Sequence, residues 1–247
     1  MRKLSAIIYS ALKALGLIRL IKSLIRGLGF SVLSSNGAIG VFDFVNMVQS
    51  RGIRIDVVYD IGANRGQWTR DLRNSCDKDI VCYLFEPNRF HNQSLKATGS
   101  PYFNVLFSDV TEEVEFYSIN GTGDSIFREV SKLYDEVKPI KMKTEVLEDF
   151  VMQNKLPRPD LIKLDTQGSE LKILHGAMKL LGTVKFLVLE CSIMEFNSGA
   201  PTISEVTSFL KGQGFSPYAI SEIHKDENVL FQMDIIFVAD WVISSLT

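Results

Sequence analysis

From about residue 56 onward, short uninterrupted apolar runs alternate with segments of helical periodicity, and this alternation restricts the fold more than any other feature of the chain. DVVYD (56–60), IVCYLFE (80–86), DLIKLD (160–165) and KFLVLEC (185–191) lack the every-second-residue polarity of a strand with one wet face. Strands that read this way are covered on both faces. Between them stand the helical patterns GQWTRDLRN (66–74), NRFHNQSLKA (88–97), SELKILHGAMKLLG (169–182) and TISEVTSFLKGQG (202–214). The alternation predicts an α/β fold built on a doubly wound, mostly parallel sheet. FNVLFSD (103–109) reads as a third strand, EVEFYSI (113–119) and PIKMKT (139–144) as short extra strands, and Thr144 as the cap of a further helix. FSPYAISEI and LFQMDIIFVAD have no helical pattern between them and read as a closing hairpin with an antiparallel last strand. A chain of 247 residues, 46% hydrophobic, can bury one large core.

Charge divides the chain. Residues 1–42 carry six basic side chains (Arg2, Lys3, Lys13, Arg19, Lys22, Arg26) and no acidic one, leaving 21 basic against 29 acidic residues, a charge of −8, on the remainder. The net charge of −2 argues against nucleic acid as a partner. We therefore expect an N-terminal helical arm over 1–50 and an α/β domain over 51–247. Wound as a helix, residues 17–26 place Leu17, Ile18, Leu20, Ile21, Leu24 and Ile25 on one face and Arg19, Lys22 and Arg26 on the other. Its apolar runs are too short to span a bilayer. Two roles suit such an amphipathic helix: packing on the domain or on a second copy in a homodimer, or lying in an anionic membrane surface through residues 1–28. Cys76, Cys82 and Cys191 match no zinc spacing and read as free thiols of a reducing compartment. A cytoplasmic location is expected, peripheral to the inner face of the membrane if the arm lies there.

The first strand ends in DIGANRG (60–66). In open α/β sheets the ligand lies outside the carboxyl ends of the strands, beside this first turn. Gly62 and Gly66 allow the backbone to bend and to approach a ligand closely. The dinucleotide pattern G-x-G-x-x-G is broken by Asn64, and no phosphate-binding Gly-Lys-Ser/Thr follows. Asp60 would repel a pyrophosphate and suits a cationic ligand head, as in S-adenosylmethionine. Glu86, ending the second strand in FEPN with Pro87 beside it, suits a ribose diol. Ser108 and Asp109, ending the third strand, are placed to meet an adenine. Asp60, Gly62, Ala63, Asn64, Gly66, Glu86, Pro87, Ser108 and Asp109 are thus the cofactor candidates.

The set VYDIGANRGQWT, FEPN, VLFSD, LIKLDTQGSELKILHGA and MDIIFV resembles the FkbM-type methyltransferases over about residues 56–240. The resemblance implies a class I, Rossmann-like methyltransferase fold and S-adenosylmethionine-dependent O-methylation. Such enzymes often act on a sugar hydroxyl in a glycolipid, polysaccharide or secondary metabolite, so a sugar- or lipid-linked hydroxyl acceptor is the expected partner. The alternative is a non-catalytic nucleotide-binding or scaffold protein on the same fold.

A hydroxyl is a weak nucleophile, so a general base is sought at the strand ends. Asp165, closing LIKLD, is the first candidate, followed by Glu190 in LVLE and Glu170 at a helix start. Glu170 also suits the helix dipole alone. His175 reads as a surface or packed histidine, and His91 and His224 have no nameable partner. In the loop GTGDSIFRE (121–129), Ser125 is a candidate cofactor or acceptor contact and Arg128 a candidate sugar or phosphate contact. Asp165 with Glu190 would alternatively hold a divalent cation, but no third ligand is readable and no metal is assigned.

Overall fold

The computed structural model describes residues 39–121, 123–128, 134–194, 197–226 and 229–246. The amphipathic pattern of residues 1–28 lies outside the described residues. Among those described, no helix is long and apolar enough to cross a membrane. One compact unit begins at Gly40, so its first helix falls within residues that the charge pattern assigned to the arm.

Among the described residues, nineteen short elements follow one another. They are α1 (Val41–Ser50), β1 (Val57–Ile61), α2 (Gln67–Ser75), β2 (Val81–Phe85), a 3-10 turn (Arg89–His91), α3 (Asn92–Lys96), β3 (Tyr102–Phe103), β4 (Leu106–Ser108), β5 (Glu113–Phe116) and β6 (Ile140–Val146). After them come α4 (Leu147–Gln153), β7 (Leu161–Leu164), α5 (Glu170–His175), α6 (Met178–Leu181), β8 (Phe186–Ser192), α7 (Ile203–Gly212), β9 (Phe215–Asp226), β10 (Val229–Ala239) and α8 (Asp240–Ile243).

Seven strands form one sheet in the order β3-β2-β1-β7-β8-β10-β9. Its pairs from β3 to β8 are parallel, and β10 runs antiparallel to both β8 and β9. This is the doubly wound, mostly parallel sheet expected, with the last strand reversed. The order changes direction at β1, whose neighbours are β2 and β7, which opens a crevice at the carboxyl ends of those strands. All four residues of β7 are buried, as are six of the seven in β8, the exception being Glu190. Helix α1 buries Phe44, Val45 and Val48, and the Phe44 ring meets Phe186 of β8 edge-on at 5.2 Å between centroids.

Three local readings change. The single strand expected over 103–109 is two: β3 joins the main sheet, while β4 joins a separate three-stranded sheet in the order β4-β6-β5. Phe85, Phe103, Phe107 and Phe150 pack at the junction, with ring centroids 5.3 to 6.0 Å apart. Thr144 caps no helix. It lies in β6, where its hydroxyl donates to the Val110 carbonyl at 2.7 Å and accepts from Glu112 N at 2.9 Å; the helix begins only at Leu147. The helix expected over 169–182 breaks at Gly176 and Ala177 into α5 and α6. Here the chain passes close to β4, and a Cβ on Gly176 would lie 2.5 Å from the Ser108 carbonyl oxygen.

Phe44 is fully buried, so truncation leaves a cavity that its neighbours close only in part. Phe44→Ala should lower the unfolding free energy by about 3–5 kcal/mol, read from the shift of the urea midpoint.

Candidate active site

A cavity of about 500 Å³ opens at the carboxyl ends of the central strands, within the ~300–1,000 Å³ typical of small-molecule sites. Its wall takes Gly62 and Asn64 from the β1 turn, Glu86 and Pro87 after β2, Asp165 to Gln167 after β7, and Glu190 from β8. Leu106, Phe107 and Ile173 give an apolar side, and His224, Phe231 and Gln232 close it from the final hairpin.

The β1 turn is held tightly. Gly62 N and Ala63 N donate to the Phe85 carbonyl at 3.0 and 3.1 Å, and Asp165 N reaches the Ile61 carbonyl at 3.1 Å. Gly62 has φ +75°, and a Cβ there would lie 1.9 Å from the Asp165 carbonyl oxygen. No other residue fits where the two strand ends cross. Asn64 takes a left-handed conformation, φ 48°, which asparagine tolerates. Ala63 and Gly66 belong to the same turn but are off the cavity wall.

Glu86 is buried at the wall. Its Oε2 accepts from Asn64 N at 2.7 Å and its Oε1 from Asn88 N at 2.9 Å. Burial pushes its pKa up to about 7, against those two amides, which lower it. The Asn88 side chain then donates to Asp124 at 2.7 Å and to Ser118 at 3.0 Å, tying the loop beyond β5 to the cavity mouth.

Asp60 lies behind the wall. It is fully buried, accepts from the Thr69 hydroxyl at 2.7 Å, and stands 3.4 Å from the Lys163 ammonium group. Lys163 also donates to Asp165 Oδ2 at 3.1 Å. Burial alone would lower the Lys163 pKa, but Asp165 and Asp60 hold it above the ordinary lysine range. The exposed carboxylate that faces the cavity on this side is Asp165, with 40% of its side chain accessible.

Glu170 is also off the wall. Its carboxylate accepts from Thr166 N at 2.8 Å, the Thr166 hydroxyl at 3.0 Å and Gly168 N at 2.9 Å, and so shapes the turn that presents Asp165 and Gln167. Burial raises its pKa to about 7. Gln167 donates to Glu190 Oε2 at 2.6 Å and to Asp165 Oδ1 at 3.3 Å. Burial first, and then the negative charges of Asp165, Glu170 and Asp234, push Glu190 well above the usual carboxylate range. Ser125 lines the cavity, and its hydroxyl donates to the Gln167 carbonyl at 2.8 Å.

Ser108 and Asp109 do not reach the cavity: the buried Ser108 hydroxyl donates to Asp109 at 2.9 Å. Arg128 turns to Asp135 at 3.2 Å, and His175 is exposed beside Phe209. Sequence reasoning missed Lys163, Gln167, Asp234 and the partners of His224. His224 Nε2 lies 3.2 Å from Asp234 Oδ1 and 3.9 Å from Glu190 Oε1. The readable signal was a lone acid inside the buried run MDIIFV.

A family model for the methyltransferase FkbM domain matches residues 60–217. The chain belongs to the FkbM methyltransferase family. It is an S-adenosylmethionine-dependent methyltransferase. It is 26% identical over 172 residues to the 2-O-methyltransferase NoeI of Sinorhizobium fredii, covering 62% of this chain and 70% of that protein. It is also 26% identical over 199 residues to the hexuronic acid methyltransferase AglP of Haloferax volcanii, covering 76% and 75%. Among solved structures, a methyltransferase FkbM from Methylobacillus flagellatus superposes with a TM-score of 0.50 at 15% identity. That match covers 74% of this chain and 44% of the other, and the likeness is one of fold.

The buried Glu170 carries a pH signature. Its folded pKa of about 7 exceeds the ordinary 4.5, so the native state holds this proton longer than the unfolded chain does. This contribution is complete below about pH 4.5 and is lost as the pH rises to about 7. Denaturation curves across that window should show this decline in the wild type, and Glu170→Gln should make it shallower, leaving the part due to Glu86, whose pKa is also raised to about 7.

Proposed function

We propose that this methyltransferase acts on a sugar hydroxyl, with Asp165 as the general base. One observation carries the reading. The cavity gathers the Gly62 turn, the Glu86 carboxylate and the exposed Asp165 carboxylate at adjoining strand ends. The two relatives support the acceptor class, since one is named for a 2-O position and the other for a hexuronic acid. A non-catalytic scaffold is not favoured.

The residues present fit S-adenosylmethionine. Gly62 lets the β1 turn lie directly against the Asp165 backbone, which brings the two strand ends to one edge of the cavity. Glu86 has each oxygen fixed by one amide, and its remaining lone pairs suit the ribose hydroxyls. Leu106, Phe107 and Ile173 offer a flat apolar surface to the base. Bound there, the cofactor supplies a methyl group already activated on a sulfonium. What remains for the protein is to align the acceptor and take its proton. Lys163 fixes Asp165 through Oδ2, so Oδ1, whose partner is Gln167 at 3.3 Å, is the atom that accepts the hydroxyl proton. Asp60 is a positioning residue for Lys163, and Glu170 for the turn.

Titration calorimetry with S-adenosylhomocysteine tests the site. Wild type should bind, Glu86→Gln should weaken binding by roughly tenfold or more, and Gly62→Ala should abolish it. Asp165→Asn should keep product binding while kcat falls by about 10²–10⁴-fold. No binding by folded wild type overturns the cofactor assignment, and an unchanged kcat overturns the base.

The basic arm supports a second proposal, that residues 1–28 hold the enzyme against an anionic membrane bearing a lipid-linked acceptor. Wild type should sediment with vesicles containing phosphatidylserine, and the triple change Arg19→Glu, Lys22→Glu, Arg26→Glu should leave it in the supernatant. Equal sedimentation of both would remove the membrane role.

A further inference from the structure

Glu86 and Glu190 mark opposite sides of the cavity. Their strands, β2 and β8, are three positions apart in the sheet, roughly 14 Å at about 4.8 Å per strand. On the β8 side, the hairpin brings two further ligand-type groups to Glu190. Asp234 is the direct partner of Glu190 across the antiparallel β8–β10 ladder. His224 is the partner of Gln232, two residues before Asp234 on β10. Alternation along β10 places residues 232 and 234 on one face, so all four side chains share it.

One ligand atom from each of Glu190, His224 and Asp234 lies within 4.8 Å of the others. His224 Nε2 is 3.2 Å from Asp234 Oδ1 and 3.9 Å from Glu190 Oε1. The two oxygens of Glu190 are treated differently. Oε2 takes both nearby amide donors, from Gln167 at 2.6 Å and Gln232 at 3.2 Å. Oε1 accepts no hydrogen bond among the described residues, although only 10% of the side chain is exposed. The amides therefore pin the carboxylate by one oxygen and leave the other, which accepts no hydrogen bond among the described residues, facing an imidazole and a second carboxylate. The nearby ammonium of Lys163 is committed to Asp60 and Asp165.

We propose that Glu190, His224 and Asp234 bind a divalent cation whose remaining coordination positions take two hydroxyl oxygens of the acceptor. Two carboxylates and one imidazole suit Mn²⁺ or Fe²⁺ better than an all-oxygen cation such as Ca²⁺. A vicinal diol would chelate such an ion, which would orient one hydroxyl within the cavity that Asp165 also lines. The role as an acceptor clamp rests on the methyltransferase reading; the cation site itself does not.

Mn²⁺ titrated into chelator-treated full-length protein, followed by the electron paramagnetic resonance signal of free Mn²⁺, tests the site. One Mn²⁺ should bind per chain, and His224→Gln and Asp234→Asn should each weaken it by about tenfold or more. S-adenosylhomocysteine affinity, measured on the same samples, should be retained in both variants and serves as the check that they are folded. Absence of saturable Mn²⁺ binding by wild type, or binding that both variants keep, overturns the proposal. If Mn²⁺ binds at this cluster while the wild type fails to bind S-adenosylhomocysteine, the cation site stands and the proposed placement of cofactor and acceptor in this cavity falls.

Discussion

Lys163 stands opposite Asp60 in the register of the two central strands, with its ammonium group 3.4 Å from Asp60 and 3.1 Å from Asp165. Its side chain is 7% exposed and that of Asp60 is not exposed at all. Charges buried so deeply persist only in company, because desolvation penalises each one alone. Asp60 Oδ1 has no hydrogen-bond partner among the described residues, so the ammonium is its compensation. Removing one member of such a group typically costs about 3–5 kcal/mol, since the charge left behind has nowhere to go. The same ammonium reaches forward to Asp165 at the cavity wall. One buried cation therefore joins the centre of the sheet to a carboxylate at the cavity wall.

Around it, carboxylates divide into those that shape backbone and those that face the cavity. Glu86 bridges the amides of Asn64 and Asn88, and so couples the β1 turn to the segment after β2. Glu170 gathers the amides of Thr166 and Gly168. At the opposite end of the strands, Asp160 accepts from Asp56 N and Val57 N at 2.8 and 3.0 Å. Each satisfies donors that no strand or helix could reach, which is the condition for burying an irregular turn. Asp165 accepts no backbone amide in this way; its partners are the Lys163 and Gln167 side chains, and it retains solvent access. Glu86 combines both parts, anchored by one lone pair on each oxygen and free on the others.

Local pattern was a good guide wherever an element is governed by its own periodicity. The continuous apolar runs, the glycine turn after β1 and the reversed final strand were all legible, because burial on two faces and the steric demands of Gly62 leave direct traces in residue type. The misreadings share a cause. Thr144 looks like a helix cap, but its hydroxyl is used by Val110 and Glu112, more than thirty residues earlier. The 169–182 pattern is helical throughout, yet the close passage of Gly176 beside Ser108 divides it. FNVLFSD reads as one strand, and competition between two sheets for its halves makes it two.

By itself, the sequence determined the fold class and the position of the first turn, since both are written in local residue patterns. Only the tertiary structure decided which carboxylates reach the cavity. Asp60 and Glu170 were turned inward by Lys163 and by the Thr166 turn, whereas Asp165 and Glu190 were left at the wall. It also decided that His224 and Asp234 stand beside Glu190, through the pairing of three strands whose contacting residues are up to 44 positions apart. The physical reason is that strand register is a nonlocal choice. Hydrogen bonding along the ladder and burial of one face set it, and a shift of one residue would send each of these side chains to the other side of the sheet.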